Sequence, residues 1–324
     1  MPRDLPTDAH PLDAVLTRII PKSMLRKLLG LSPTPTNDGA YSPSRFALKM
    51  ATSTTTDYDN TVYPNPYTGF KKVLMVCTED RNLTMANGKK FSTGNHPVEM
   101  LVTMLHLKAA GFEIDVFTPT GKSVKVEQWA MPHDDLAVTG LYSEFKPQFN
   151  SPSNLSEFVS TSMEENDSYA AIFLPGGQGA LAGLPECLAL KELILWACSE
   201  DLFILSICHG PAAFLAASME LLPEEFVFSG YSMAAFPDSV DRLAPVIGYL
   251  PGHMPYKFGE RLQRLGVTLV NKKANSTCHV DRKLITGASP EAANDFGKLV
   301  AQQLLSFWNM DGHSTQSSPA SDPQ

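Results

Sequence analysis

Short runs of consecutive apolar residues alternate along this chain with longer stretches in which apolar positions return every three or four residues. The runs at 73–77 (Val73-Leu-Met-Val-Cys77), 170–174 and 202–207 are almost wholly apolar, as strands covered on both faces must be. Residues 112–117 alternate apolar with polar and predict a further strand. Helical spacing predicts helices over 97–110, ended by Gly111, and over 188–199. Another helix is predicted to begin at Pro211. A long closing helix should run from Ser289, a suitable N-cap followed by Pro290 in the first helical position, to about Trp308. Strand material is also expected at 226–228 and 267–270. This alternation predicts an α/β fold in which a mainly parallel sheet is sandwiched by helices.

The flanks have a different pattern. Residues 1–69 read as an irregular N-terminal extension, with loop-forming clusters such as Ser32-Pro-Thr-Pro-Thr-Asn and Thr52-Ser-Thr-Thr-Thr. Within it, residues 12–31 space apolar positions near-helically with Lys and Arg between them. That pattern reads as a short helix or two packed on the body of the protein. A membrane-surface helix or transit peptide is opposed by Asp4, Asp8 and Asp13 and by Pro21. Residues 70–309 form the α/β domain, and residues 310–324, without periodicity, are expected to be a disordered tail.

Composition narrows the function. The 324 residues are 43% apolar and 19% charged, as in a protein with a full core. The charge balance of 26 − 34 = −8 argues against a stable nucleic-acid complex, which needs clustered Lys and Arg. No apolar run approaches the roughly 20 residues that span a bilayer. The opening residues lack the basic-then-apolar order of a secretory signal. Five dispersed cysteines without a CxxC pair point to a reducing, cytoplasmic setting rather than a disulfide scaffold or zinc ribbon.

Three strand ends carry unusual residues, at the sheet edge where open α/β folds bind ligands. In Leu205-Ser-Ile-Cys-His-Gly-Pro211 a buried strand stops at Cys208 and a helix begins at once. Small residues stand two places away on each side, Ser206 and Gly210, as a sharp strand-to-helix turn requires. The spacing makes Cys208 a candidate nucleophile, and a helix N-terminus beside it should favour the thiolate. At the second end, Gly176 and Gly177 are paired glycines whose backbone N–H groups are candidates for an oxyanion site. The third end, Thr93-Gly-Asn-His-Pro-Val-Glu99, puts Glu99 in the first turn of a helix, where a surface glutamate complementing the helix dipole is the ordinary expectation.

Together these segments resemble the DJ-1/PfpI superfamily, and within it the Hsp31-like chaperones and glutathione-independent glyoxalases. The resemblance spans roughly residues 60–308. It also rests on Tyr63-Pro-Asn-Pro-Tyr67, Trp129-Ala-Met-Pro-His133, Ala235-Phe-Pro-Asp238 and Gly248-Tyr-Leu-Pro-Gly-His253. It implies a flavodoxin-like fold, similar to class I glutamine amidotransferases, and a homodimer. It implies further that Cys208 is the nucleophile, with His209 beside it and Glu99 contacting the thiol. An acid orienting His209 should come from residues 236–241, with Asp241 preferred by position over Asp238. Backbone N–H groups near Gly177 and at His209 would hold an oxyanion.

Some Hsp31-like proteins bind a metal through a His/Glu/His set, which falls here on Lys108, Glu113 and His133. A lysine is no ligand at neutral pH and should pair with Glu113, so no metal and no cofactor are expected, Glu113 and His133 being vestigial. The activity implied is conversion of methylglyoxal to lactate through a Cys208 hemithioacetal, or deglycation of protein or nucleotide adducts at the same thiol. A stress-induced holding chaperone with unfolded clients is the alternative, and a cysteine amidase or peptidase ranks below it. An accessible Cys208 thiolate would also be a candidate oxidation sensor.

Overall fold

A computed structural model describes residues 22–310, the side chains of residues 22, 23 and 310 excepted. Half of the segment 12–31 that reads as a short helix or two, residues 12–21, and all but the first residue of the predicted disordered tail lie outside the described residues.

The apolar runs form one seven-stranded sheet. Its strands are β1 (Lys72–Val76), β2 (Glu113–Thr118), β3 (Ser153–Asn154), β4 (Tyr169–Leu174), β5 (Phe203–Ile207), β6 (Cys278–Asp281) and β7 (Leu284–Gly287). The order across the sheet is β6-β7-β5-β4-β1-β2-β3, and every neighbouring pair is parallel except β6–β7. The register pairs Leu174 with Ser206 and Ile207 with Gly287, so β4, β5 and β7 end at one edge of the sheet.

Because side chains alternate faces along a strand, the central strands feed two cores. Leu74, Val76, Ile172, Leu174 and Ile204 face one side, packing with Leu190, Leu193 and Ile194 of helix Leu188–Ser199. Val73, Met75, Phe173, Leu205 and Ile207 face the other. There they meet α1 (Pro97–Ala109) through Met100, Met104 and Leu107, and the closing helix Ala293–Met310 through Phe296, Val300 and Leu304. Each such side chain contributes about 1.5–3 kcal/mol on burial. The parallel sheet covered on both faces is therefore as predicted. Among the described residues no helix is long and apolar enough to cross a membrane.

Two expectations need correction. Residues 226–228 are not a strand: Phe226 and Phe228 are buried side chains on a turn, with Phe228 packed on Phe214 at 4.6 Å between ring centroids. The helix expected at Pro211 is a tight 3-10 helix, Gly210–Ser218.

The described part of residues 1–69 holds two short helices, Lys22–Leu28 and Arg45–Ala51. It also adds strands Thr34–Pro35 and Tyr41–Ser42 to a small sheet with Lys90–Ser92 and Asn82–Thr84. This segment is tied down across the loops at 243–249. The Arg26 guanidinium donates to the Pro245 carbonyl (2.7 Å), and the Ser44 N–H and Oγ donate to the carbonyls of Gly248 (2.8 Å) and Ile247 (3.0 Å). The fit is close, since a Cβ on Gly248 would stand 2.0 Å from the Leu31 carbonyl oxygen. Helix Arg45–Ala51 consequently brings Met50 and Ala51 over the edge where the sheet strands end.

Candidate active site

Cys208 is the residue on which the chain turns from β5 into the 3-10 helix. Its φ is +60°, a left-handed conformation that costs a residue with a side chain about 1–3 kcal/mol. Two backbone bonds hold it there: the Cys208 N–H donates to the Gly287 carbonyl and the Phe236 N–H donates to the Cys208 carbonyl, both at 2.8 Å. The need for small neighbours is visible in the packing. Ser206 is buried with its Oγ donating to the Leu174 carbonyl (3.0 Å). A Cβ on Gly210 would lie 2.4 Å from both that carbonyl oxygen and Ser206 Oγ.

The turn brings the sulfur 3.3 Å from His209 Nδ1. His209 Nε2 in turn lies 3.0 and 3.2 Å from the two carboxylate oxygens of Asp241. A carboxylate only accepts, so the ring proton sits on Nε2 and Nδ1 is left as the acceptor facing the thiol. Asp238 is used elsewhere, accepting from the N–H groups of Gly259 and Glu260 at the start of helix Phe258–Arg264. Of the two candidate acids, Asp241 is thus the one that meets His209.

Glu99 is not the exposed glutamate its helical position suggests; it is completely buried. Its carboxyl lies over Gly176, where an added Cβ would be 2.0 Å from Glu99 Oε2 and 2.9 Å from Cys208 Cβ. The Cys208 thiol and the Gly177 amide are its polar neighbours. Burial, reinforced by nearby Glu127, raises its pKa well above the ordinary carboxyl value, which favours the protonated acid. The Gly177 amide expected to await an oxyanion therefore faces Glu99.

The thiol itself departs from expectation. A helix terminus was expected to favour the thiolate, but burial pushes the Cys208 pKa well above the ordinary value, with the carboxylates of Glu99, Asp241 and Glu127 adding to the shift. The Glu99 contribution disappears when that acid is protonated. A neutral acid in this position can donate a hydrogen bond to a thiolate.

A cavity of about 330 Å³ stands above these groups. Phe236, Val240, Leu243, Ile247 and Tyr249 give it an apolar wall, and Met50 and Ala51 reach its mouth. Sequence reasoning missed three polar residues around it. His96, the N-cap of α1, is buried with Nδ1 unpartnered and 4.0 Å from Glu99 Oε1. Burial, aided by His209, pushes its pKa down to about 3, so its ring is neutral. Gln178 lines the cavity beside Gly177. Glu127, almost wholly buried, accepts from the Thr93 hydroxyl (2.7 Å) and from the Gln178 N–H (3.3 Å), tying the glycine turn to the loop before α1. His96 lay inside a quoted motif and could have been found there. Glu127 follows no periodic or spaced signal.

Burial raises the Glu127 pKa from 4.5 to about 7. Because the folded value lies above the unfolded one, its contribution to stability is present below pH 4.5 and is lost as pH rises through about 7. The loss amounts to roughly 3 kcal/mol. Urea unfolding at pH 5 and pH 8 should therefore show a fall in stability that is much reduced in Glu127→Gln; an equal fall in the variant would exclude this origin.

The positions matching a metal set do not gather. Lys108 pairs with Glu144 rather than with Glu113, which pairs with Lys72 (3.3 Å), and His133 is exposed. Among the described residues no three His, Cys, Asp or Glu side chains could hold a metal ion together. His106 is occupied on both ring nitrogens, by the Tyr63 hydroxyl and the Asn294 side chain at 2.9 Å each.

A parallel sheet with a cysteine on a strained strand-to-helix turn, beside a histidine and a buried acid, defines a class of α/β cysteine-site proteins. The chain belongs to the DJ-1/PfpI family, whose model matches residues 90–303. It is 47% identical over 279 residues to the protein/nucleic acid deglycase HchA of Pseudomonas aeruginosa, covering 85% of this chain and 96% of that one. It is 46% identical over 271 residues to protein/nucleic acid deglycase 1 of Escherichia coli K12, covering 84% and 94%. Among solved structures, glyoxalase III of Candida albicans shares the fold with a TM-score of 0.53 at 19% identity, over 72% of this chain and 97% of that one. The Rapid Encystment Protein of Francisella tularensis does so with a TM-score of 0.58 at 20% identity, over 72% and 99%.

Proposed function

We propose that this chain is a cofactor-independent glyoxalase that adds water to methylglyoxal to give lactate, and that the same thiol removes early glycation adducts, as the names of its relatives indicate for them. The observation that carries the reading is the geometry at Cys208: a strained turn at the floor of a cavity, a histidine nitrogen 3.3 Å from the sulfur, and a buried acid against it.

In this reading His209 Nδ1 takes the thiol proton as the sulfur bonds to the aldehyde carbon, and Asp241 stabilises the imidazolium. Protonated Glu99 gives its proton to the carbonyl oxygen, completing a hemithioacetal. Its carboxylate then removes the hydrogen from the former aldehyde carbon, while the histidine proton goes to the neighbouring carbonyl oxygen, giving an enediol. Glu99 returns its proton to the second carbon while the hydroxyl on the sulfur-bearing carbon gives its own proton back to the Glu99 carboxylate, which yields a lactoyl thioester and restores the acid. Water hydrolyses it, restoring the thiol. No glutathione is consumed, because Cys208 supplies the sulfur. We place the enzyme in the cytoplasm as a homodimer, a setting supported by five free cysteines.

Lactate should accumulate when the protein is mixed with methylglyoxal in buffer free of glutathione and metal. Absence of lactate from correctly folded protein would overturn the reading.

A further inference from the structure

Two of the segments that carry the family resemblance, Trp129-Ala-Met-Pro-His133 and Gly248-Tyr-Leu-Pro-Gly-His253, supply none of the groups that react. They meet at Tyr249. Its ring packs edge-on against Trp129, with centroids 5.6 Å apart and planes at 87°, and also on Phe91 at 6.0 Å. Trp129 is itself held, its indole N–H donating to the Ser92 carbonyl (3.2 Å). The backbone is fixed as well, since the Tyr249 N–H donates to the Ala244 carbonyl (3.0 Å) and the Gly248 carbonyl accepts from Ser44. So confined, the partly buried ring brings its hydroxyl to the cavity over Cys208, which Tyr249 lines together with Gln178. It stands close enough to Glu127, Cys208 and Glu99 for their charges to act on it. Burial keeps its pKa well above the ordinary value, so the phenol is neutral. The neighbouring Gln178 side chain favours the ionised form, as a donor to the phenol oxygen does, which leaves the phenol proton free for a substrate.

A dicarbonyl brings two oxygens into this cavity. Glu99 serves the aldehyde oxygen, and the ketone oxygen needs a donor of its own while negative charge gathers on it. The polar side chains of the lining narrow the choice. Ser289 Oγ donates to the Asn275 carbonyl (2.9 Å), Asp241 is engaged with His209, and a Glu291 carboxylate only accepts. His96 lies toward solvent, where the cavity opens between residues 50–57, Pro290 and Glu291, and its Nδ1 is sealed against Glu99. The Tyr249 hydroxyl and the Gln178 amide beside it remain, and neither is a sealed polar atom.

We propose that Tyr249 is a substrate-contacting residue whose hydroxyl donates a hydrogen bond to the ketone oxygen, selecting aldehydes that carry an oxygen on the adjacent carbon. This rests on the glyoxalase reading above. The phenol keeps its proton throughout. Its hydrogen bond tightens as charge moves onto the ketone oxygen, and the histidine proton then neutralises that charge. The substituent beyond lies on the apolar wall of Phe236, Val240 and Ile247.

Tyr249→Phe removes the hydroxyl and keeps the packed ring, so its unfolding temperature should match the parent's. Its kcat for lactate formation from methylglyoxal should fall about ten- to a hundredfold, with a smaller rise in KM. Methoxyacetaldehyde and butanal, aldehydes of equal size, form hemithioacetals that cannot go on to lactate, and they serve as competitive inhibitors. Only the first carries an oxygen beside the aldehyde. Its advantage over butanal, read as the ratio of inhibition constants, should shrink about three- to tenfold in Tyr249→Phe. A merely structural tyrosine would weaken both inhibitors alike and leave that ratio unchanged. An unchanged ratio, or a variant with the parent kcat, overturns the assignment of Tyr249. If the parent makes lactate and either result is found, that assignment alone fails; if the parent makes none, the glyoxalase reading fails with it.

Discussion

Cys208→Ala is expected to lower glutathione-free lactate production by about a thousandfold or more, with the fold intact. The size of the loss follows from the chemistry: without the sulfur there is no hemithioacetal, and Glu99 and His209 have no thioester to form. Stability should change little. Alanine adopts φ +60° with much the same strain as cysteine, and the sulfur lines an open cavity, so its removal leaves no closed void. Lactate assays beside thermal unfolding separate the two effects. A folded variant retaining a tenth of the parent rate would remove Cys208 from the mechanism.

Gly176→Ala should damage both stability and activity, although no catalytic side chain is replaced. The new methyl would lie 2.0 Å from Glu99 Oε2 and 2.5 Å from the Ile207 carbonyl oxygen. The carbonyl belongs to a central strand and cannot yield cheaply, so Glu99 must move off the thiol. A loss of about 1–3 kcal/mol is expected from the strain, lowering Tm by several degrees. Lactate production by the remaining folded protein should fall tenfold or more, because the displaced acid can no longer carry the proton. Gly140→Ala is the control, since nothing lies within 4 Å of a Cβ there and its helix position favours alanine. A Gly176→Ala protein as active and stable as that control would show that the close approach is not needed.

The sheet and the elbow were legible in the sequence because each depends on local chemistry. Strands apolar at nearly every position leave few alternatives to a sheet covered on both faces, and Ser206 and Gly210 mark a turn that larger residues would block. What escaped depends on long-range packing. Phe226 and Phe228 have the apolarity of a strand, but their burial comes from a cluster with Phe214, and their backbone meets no neighbouring strand. Lys108 finds Glu144 on the next helix, while Glu113 is taken by Lys72 one strand away, a choice set by the order of strands rather than by spacing along the chain. The electrostatics of the site were hardest to foresee. Neighbours of Cys208 can be read from a motif, but exclusion of water cannot, and that exclusion raises the thiol, pushes Glu99 toward its protonated form and brings the Glu127 pKa to about 7.

The cleft mouth has an evolutionary consequence. Met50 and the residues through Asp57 lie before the stretch 90–303 that matches the family model, whereas Glu99, Cys208, His209 and Asp241 all lie inside it. The mouth of the cleft can therefore vary at residues 50–57 without touching the reacting groups, while His96, Pro290 and Glu291, which line it too, fall inside the matched stretch.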